Sequence, residues 1–560
     1  MHFSPVDWVI LLAALSGILA LGILAKKYVV DTADYVVAGR RVGFYLGTIT
    51  LFSTETAILT FMYFAEMGYV YGFAAFIVGI VPLIVYVFLG KTGFVIKTFR
   101  QLGLITIPEY FQSRFSRGVR VLAGVMMVAG GALNFGVFPV LDSTFLNIVT
   151  GIPQRYILWT IIVLMTIVLL YTALGGMVSV IVTSYVQYFF LFLAMTIVTI
   201  ACFAAVGLHG MVAVVHDRMG APGFNPLAHP AFGWSFIFWQ ILMWLAVLTA
   251  FAPVTVRAFA AESAEMAARV FTWTGVLNLA RGVLPILWGI AALAFFAGKI
   301  PLSIQALPLL LGAVLRPGLL GLVVVGLLAG TMSTYAGYLI AWGSVISQDI
   351  VLTVTKRPCS ERARLAINRT AVFVLALFVM GWGLWYKVPG SVFFYLYITG
   401  NMFLSGSFWI VAGGLYWKRA NVVGAYSALI LGAATSLLYF AVPHPDEWAG
   451  RLGFLAFLAG FVGMVAGSLL GDYYRQPRRR VICAMATAVL AVAAFALRHR
   501  LPRYGTWQNF WVAVLGITIL SFVAFSVYAL VRGLGDLRHL MRPHGTQQAS
   551  TAPPASSPAE

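Results

Sequence analysis

Apolar residues occur in long runs along nearly the whole 560-residue chain, separated by short polar segments. A membrane-spanning helix needs about 20 mostly apolar residues, and runs of that length recur about fifteen times. The pattern therefore predicts an all-α polytopic membrane protein. The predicted spans lie near residues 6–25, 43–64, 70–90, 121–149, 156–173, 180–207, 235–256, 270–297, 318–345, 371–387, 391–416, 422–442, 452–472, 481–497 and 508–532.

The composition supports the same class, because 61% hydrophobic and 9% charged residues exclude a soluble protein. The first apolar run lacks a basic segment before it and is longer than a signal-peptide core, so it predicts a retained span. Basic residues collect in the loops of one side, which predicts an integral plasma (inner) membrane protein with its amino terminus outside and its carboxyl terminus cytoplasmic. The basic loop at 498–503 is the exception to this orientation.

The charge and the motifs exclude several functions. Basic loops facing an anionic inner leaflet account for most of the net charge of +19, so no nucleic-acid partner is required. Cys202, Cys359 and Cys483 are too scattered for a disulfide framework or a metal cluster. The chain lacks a complete phosphate-binding loop, a paired-histidine motif and a nucleophile elbow, so we expect no enzyme and no cofactor. Secondary transport, a channel and a membrane sensor remain.

Ser333 and Thr334 are adjacent hydroxyl residues in an uncharged apolar run, and an unpartnered hydroxyl is costly in hydrocarbon. Such a pair predicts a bound polar species. The alternative is that both hydroxyls bond back to carbonyls one turn earlier, as is common in membrane helices.

Two predicted spans carry an interruption at membrane depth. In the second span, the polar run 53–57 predicts local unwinding, and its carboxylate, Glu55, costs about 2.5–3.5 kcal/mol to insert at mid-membrane. Glu55 should therefore face a cavity, pair with a cation or be protonated. In the seventh span, Pro253 removes one helical hydrogen bond and obstructs another. Paired helix breaks of this kind point to a transporter's binding site at the midplane.

Several segments resemble the sodium:solute symporter family. The run 171–179, Tyr-Thr-Ala-Leu-Gly-Gly-Met-Val-Ser, is similar to the family's Gly-Gly signature, and the similarity covers about residues 5–475. Further similar segments are Ala38-Gly39-Arg40, Pro108-Glu109-Tyr110-Phe111, the run 257–263 and the ion-site segment 330–334.

The resemblance implies an architecture of two inverted five-helix repeats with broken first helices, an APC/LeuT-like core with peripheral helices. Alternating access would be a rocking of one helix bundle against the remaining scaffold. The implied organisation is a peripheral span (1–42), a transporter core (43–416) with repeats at about 43–207 and 235–416, peripheral spans (417–475), two extra spans (476–535) and a disordered cytoplasmic tail (536–560).

The resemblance also implies a sodium site. It is made of the backbone carbonyls of Ser53, Thr56 and Gly330 and the hydroxyls of Ser333 and Thr334, and carbonyls of an unwound segment suit sodium. Sodium would be the coupling ion, although replacement by a proton stays open.

The chain departs from the family pattern at three positions. Ser184 stands where many members carry Asp, which favours one sodium per cycle. Val256 replaces a Gln, and Val247 lies near the position of an aromatic gate in sugar carriers, so a sugar is not favoured.

Polar and aromatic residues of the core spans are candidates for substrate contact. Two carboxylates among them suit a solute with an amine, while Arg281 opposes them or neutralises one. An amino acid-like zwitterion is the first expectation and a carboxylate the second. The candidates are Glu55, Thr60, Tyr63, Asn134, Asp142, Trp239, Gln240, Trp244 and Asn401.

Two other function classes stay open. A symporter-like sensor would need a separate signalling partner, because the tail 547–560 is rich in Ala, Ser, Pro and Thr and is too short for a kinase module. A channel is disfavoured, because an occluded ion site at broken helices suits coupling. The sequence leaves the oligomeric state open.

Overall fold

The computed structural model describes residues 3–29, 31–355, 360–388, 390–441 and 445–473. Across these residues the chain is helical, and its one β contact is an isolated bridge between Val42 and Ala261. Twelve helical stretches in the described part are long and apolar enough to cross a membrane. The prediction of a multi-pass all-α membrane protein is confirmed. The windows near 481–497 and 508–532 and the tail lie outside the described residues, so the count of fifteen spans stays a prediction, as does the orientation of the termini.

Eleven helices form the first half of the chain. They are α1 (Pro5–Leu24), α2 (Thr32–Val37), α3 (Phe44–Thr54), α4 (Ile58–Tyr71), α5 (Ile77–Thr92), α6 (Ile96–Gln101), α7 (Ile107–Arg114), α8 (Arg117–Gly136), α9 (Phe138–Thr150), α10 (Ile157–Ala205) and α11 (Gly207–Met219).

Ten helices follow in the described part of the second half. They are α12 (Gly233–Ala250), α13 (Ala252–Ala260), α14 (Ala264–Phe295), α15 (Ala306–Val314), α16 (Leu319–Ser344), α17 (Leu352–Thr355), α18 (Glu361–Trp385), α19 (Val392–Tyr416), α20 (Val422–Leu437) and α21 (Pro445–Tyr473). A π-helical segment, Val345–Val351, joins α16 to α17.

Two helices form the centre of the bundle. In their most apolar stretches, 94% of α14 and 89% of α16 are buried, against 22% of α1. α16 packs along α10, and α14 packs along α4 and α5. An apolar helix that is buried on all sides carries no amphipathic stripe, so any polar residue on α14 or α16 must find its partner inside the protein.

The Gly-Gly segment has a structural role in α10. Gly176 has φ 53° and ψ −148°, a conformation that L side chains rarely adopt, and it kinks α10, which is long and apolar enough to cross a membrane on either side of this segment. A Cβ at Gly176 would lie 2.6 Å from the carbonyl oxygen of Tyr35. The motif therefore marks a kink in which two segments approach too closely for any side chain.

Candidate functional site

The first break separates α3 from α4 over Glu55, Thr56 and Ala57. α3 ends because the amides of Glu55 and Thr56 bond only three residues back, to Phe52 and Ser53 (3.2 and 3.3 Å). Ala57 is extended, with φ −101° and ψ 167°. The break therefore leaves backbone carbonyls without helical partners in the protein interior.

Side chains on both sides of the break satisfy the first amides of α4. The Ala57 amide donates to the Thr60 hydroxyl (3.2 Å), and the Ile58 amide donates to the Thr331 hydroxyl of α16 (2.8 Å). Thr331 thus ties the start of α4 to α16, which crosses the break at this point.

The two hydroxyl groups predicted to bind sodium contact different helices. The Thr334 hydroxyl donates to the Ser53 carbonyl (3.3 Å), and the Ser333 hydroxyl shares a hydrogen bond with Ser184 of α10 (2.8 Å). Both residues are at most 1% exposed. Each hydroxyl therefore pairs with another helix, rather than bonding back within α16.

Gly330 lets α16 approach the break. A Cβ at this position would overlap the carbonyl oxygen of Thr56. Four of the five residues predicted to hold sodium, Ser53, Thr56, Gly330 and Thr334, thus lie together where α3, α4 and α16 meet, while Ser333 contacts α10 through Ser184.

A cavity of about 90 Å³ lies beside the first break. Water needs only ~10–15 Å³, so the cavity holds several water-sized groups. Five of the nine candidate substrate residues line it, namely Glu55, Thr60, Tyr63, Asn134 and Trp244. The rest of the wall is Phe138, Met243, Val247, Phe251, Arg281, Tyr338, Leu396, Tyr397, Gly400 and Leu404.

An ion pair forms the polar part of the cavity wall. Nη1 of Arg281 lies 2.8 Å from Oε2 of Glu55 and 2.7 Å from Oδ1 of Asn278, and both members of the pair are about 5–7% exposed. The guanidinium also lies over the rings of Trp244 and Phe64, at 5.6 and 5.8 Å from their centroids. The Glu55 charge is therefore balanced inside the protein, which offsets its insertion cost.

The second break has a different character. α12 ends at Ala250, Phe251 is extended with φ −83° and ψ 113°, and Pro253 lies in the first turn of α13, where its missing amide costs nothing. Thr255 bonds back to the Phe251 carbonyl (3.1 Å). The predicted interruption of the seventh span is therefore present as a single extended residue.

Arg257 connects the two breaks. Its Nη1 donates to the Pro253 carbonyl (2.7 Å), and its Nη2 donates to the hydroxyl of Thr54, the last residue of α3 (2.6 Å). The residue is 2% exposed. A cation at the carboxyl end of α3 also complements the helix dipole there.

Four candidate substrate residues lie away from the cavity wall. Asn401 bonds to Ser436 and to the Gly453 carbonyl (3.2 and 3.3 Å), and Trp239 lies 3.5 Å from its Oδ1, which places both at the contact with α20 and α21. Asp142 accepts from Tyr335 (2.8 Å), and Gln240 is fully buried.

Sequence reasoning did not single out several wall residues. Phe251, Tyr338 and Tyr397 supply much of the aromatic surface. Arg257, which lies outside the wall, belongs to the family-like run 257–263, but that run does not reveal its contact with Thr54. One signal was available, because Phe251 lies within the interruption that the sequence predicts around Pro253. Tyr338 is one turn beyond Thr334 on α16, so the ion segment pointed to it too.

Two broken helices that meet a central buried helix beside a cavity are the features of a secondary transporter. The family comparison agrees with this class. The sodium:solute symporter family matches residues 35–432, and the chain belongs to that family. Sodium-coupled symport is therefore its function, and sodium is the coupling ion.

Curated relatives are transporters of several solutes. The chain is 25% identical over 410 residues to an osmoregulated proline transporter of Bacillus subtilis, covering 67% of this chain and 75% of the relative. It is 23% identical over 395 residues to a sodium/sialic acid symporter of Aliivibrio fischeri, with the same coverages. It is 27% identical over 569 aligned positions to a sodium-dependent multivitamin transporter of Oryctolagus cuniculus, covering 95% of this chain and 83% of the relative.

A solved structure shares the fold. It is the substrate-bound outward-open state of a Na+-coupled sialic acid symporter, with a TM-score of 0.72 and 18% identity, covering 84% of this chain and 98% of that one. The architecture of inverted repeats with broken first helices is thereby confirmed, while the exact repeat boundaries stay predictions.

Proposed function

We propose that this sodium-coupled symporter imports a small amino acid-like zwitterion, with sodium held by Ser53, Thr56, Gly330, Ser333 and Thr334. Sodium would bind between the unwound carbonyls of the first break and the hydroxyls of α16. Its binding would pull α16 toward α3 and α4, and the rocking of this contact would open the cavity to one side at a time.

The Glu55–Arg281 pair carries the proposal for the solute. Its internal hydrogen bonds use Oε2 of Glu55 and Nη1 of Arg281. Neither bond uses Oε1 or Nη2. The Tyr86 hydroxyl also faces Glu55 and the Tyr63 hydroxyl faces Arg281, so a ligand would meet an acceptor and a donor that are flanked by these two phenols. An ammonium group at Oε1 and a carboxylate at Nη2 complement this pair, and each contact would be a charge-assisted hydrogen bond.

The aromatic wall supports a compact solute. Tyr63, Trp244, Phe251 and Tyr397 surround the ion pair, and the cavity volume is about 90 Å³. An apolar wall around a few fixed polar groups is the usual make-up of a selective small-molecule site. The named proline and sialic acid relatives carry carboxylated solutes, which agrees with an Arg-centred site.

A carboxylate without an amine is the second candidate, and Arg257 favours it. Near the cavity lie two buried cations, Arg257 and Arg281, but Glu55 is the one carboxylate on the wall. The positive excess would attract an anion.

We further propose one sodium per cycle. Ser184 offers a hydroxyl rather than a carboxylate next to Ser333, so a second cation there would lack a charged ligand. If no other ion moves in exchange for sodium, a membrane potential of 100 mV supplies about 2.3 kcal/mol for the one charge transferred. That energy supports a near fifty-fold solute gradient, at about 1.4 kcal/mol per tenfold.

Competition for uptake into proteoliposomes tests the solute class. Three analogues of one side chain are compared: the amino acid, the acid without its amine and the amine without its carboxylate. We expect the amino acid to compete best, and Glu55→Gln to abolish its advantage over the plain acid. If the plain acid competes as well as the amino acid in the wild type, the solute is a carboxylate without an amine. Strong competition by the amine alone would contradict both proposed solute classes.

A further inference from the structure

Asp142 of α9 is a buried carboxyl group that the proposed sodium and substrate sites do not use. It is 0% exposed and does not line the cavity. Its Oδ2 accepts a hydrogen bond from the Tyr335 hydroxyl (2.8 Å), whereas Oδ1 is buried without a hydrogen-bond partner among the described residues.

The other buried carboxylates of the described chain all have strong partners. Glu55 pairs with Arg281, Asp349 with Arg120 and Asp34 with Arg41, at 2.8–3.1 Å. Asp7 accepts the backbone amides of Gly318 and Gly321 at the start of α16, at 2.7 and 2.6 Å. Asp142 differs from all four, because it has neither a cation nor a pair of short amide bonds.

Opposing influences act on Asp142. Burial without a cation favours the neutral acid. The Tyr335 hydroxyl, together with the Thr331 hydroxyl and the Leu59 amide that also face the group, favours the carboxylate. Tyr335 is the titratable group that faces Asp142, and no charged side chain of the described residues acts on it. A positive charge brought close to this carboxyl group would therefore favour its carboxylate form.

The surroundings of Asp142 belong to the contact at which sodium is proposed to bind. Tyr335 directly follows Ser333 and Thr334 on α16. Thr331 accepts the Ile58 amide at the start of α4 (2.8 Å). A sodium ion at the first break would add positive charge near Asp142 and hold its donors in place, and both effects stabilise the carboxylate.

We propose that Asp142 is a proton-binding site linked to sodium: sodium binding expels its proton, and sodium release allows a proton to return. The inference rests on the proposed sodium site. During import, the proton would leave on the side where sodium enters and be taken up where sodium leaves. One H+ would then move against each Na+, so the sodium step itself would transfer no net charge. By linkage, protons must weaken sodium binding as much as sodium weakens proton binding.

Proton release on sodium binding tests this directly. Purified wild-type protein in weak buffer with a pH-indicator dye receives sodium chloride, with choline chloride as the control salt, and sodium affinity is measured at several pH values. We expect a sodium-dependent acidification and a sodium affinity that falls as the pH is lowered. In Asp142→Asn, which keeps the acceptor for Tyr335, we expect no acidification and a sodium affinity independent of pH.

Tyr335→Phe provides a second readout. Loss of the hydrogen bond destabilises the carboxylate, so the pH at which sodium affinity falls should move upward. The proposal is overturned if Asp142→Asn still releases a proton or if wild-type affinity does not change with pH. Should Asp142→Asn fail to bind sodium, an unshifted pH dependence in Tyr335→Phe would overturn it. Failure of wild-type protein to bind sodium would instead reject the sodium site, and these results do not depend on the solute.

Discussion

The two broken helices of this transporter differ in what fills the gap. The first break contains Glu55 and Thr56 and meets hydroxyls that come from α16. The second contains Phe251, whose ring packs against Tyr338 and Trp342 with centroids 5.6 and 5.4 Å apart. Under the proposed function the two breaks therefore have different roles: the first would present oxygens to a cation, and the second would supply an apolar wall for the solute.

The threonines near each break illustrate the same difference. Thr334 donates across to the Ser53 carbonyl, whereas Thr255 donates within its own helix to Phe251. A hydroxyl that is satisfied inside its own helix is not needed elsewhere. A hydroxyl that reaches another helix at a gap is placed to exchange its hydrogen bond for a cation.

The largest effect should come from Gly330→Ala. The added methyl group would overlap the Thr56 carbonyl oxygen and force α16 away from the first break. Overpacking of this kind costs about 1–3 kcal/mol, so sodium-dependent uptake should fall by about tenfold or more. Uptake and sodium-induced thermal stabilisation measure the effect.

Gly381→Ala is the matched control, because nothing lies within 4 Å of a Cβ at that helical position. We expect it to behave as wild type. Equal loss of uptake in both variants would mean that Gly330 matters only as a general helix residue.

Arg257→Lys tests the connection between the breaks. A lysine cannot donate to the Pro253 carbonyl and the Thr54 hydroxyl at the same time, as the planar guanidinium does. The connection between the two broken helices would therefore weaken. We expect turnover to fall by about fivefold, since one charge-assisted hydrogen bond is worth about 1.5–3 kcal/mol and part is regained by the ammonium. Initial rates at saturating sodium measure it.

Arg218→Lys serves as the comparison, because Arg218 donates to the Ala297 carbonyl at an exposed site. If Arg218→Lys lowered turnover as much as Arg257→Lys, the loss in Arg257→Lys would not come from the connection between the two breaks.

The two threonines allow a closely matched pair of substitutions. Thr334→Val removes a proposed sodium ligand, and we expect the sodium concentration for half-maximal uptake to rise about tenfold, the effect of about 1.4 kcal/mol. Thr255→Val removes a hydroxyl that serves only its own helix and should change that concentration by less than about twofold, within the usual cost of a single neutral hydrogen bond. Equal shifts would contradict the distinction between the breaks.

The smallest effect is expected for Phe251→Leu. The smaller side chain enlarges the cavity beside the ion pair without touching the first break. Substrate affinity should fall by about threefold, well within the range of a lost aromatic contact, while the sodium dependence stays unchanged. A changed sodium dependence would show that the second break also contributes to the ion site.

The sequence allowed the class, the two breaks and the ion segment to be predicted, because each leaves a local mark. Long apolar runs require spanning helices, a polar run or a proline interrupts them, and paired hydroxyls in an uncharged run need a partner. These features depend on neighbours in the chain, so one sequence is enough to recognise them.

The cavity wall was harder to predict, because it depends on which way each face of a fully buried helix points. Gly400 lines the cavity, yet Asn401 faces α20 and α21, since one residue turns a helix by about 100°. Asp142 likewise faces α16 rather than the solute. In helices that are apolar all round, hydropathy does not distinguish these faces.

Equilibrium binding of radioactive sodium to the purified protein tests the central claim most directly. The wild type and Thr255→Val should bind sodium saturably, at one ion per chain, and the double variant Ser333→Ala/Thr334→Val should bind none in the same concentration range. Saturable binding of wild-type affinity by a folded double variant would contradict the account.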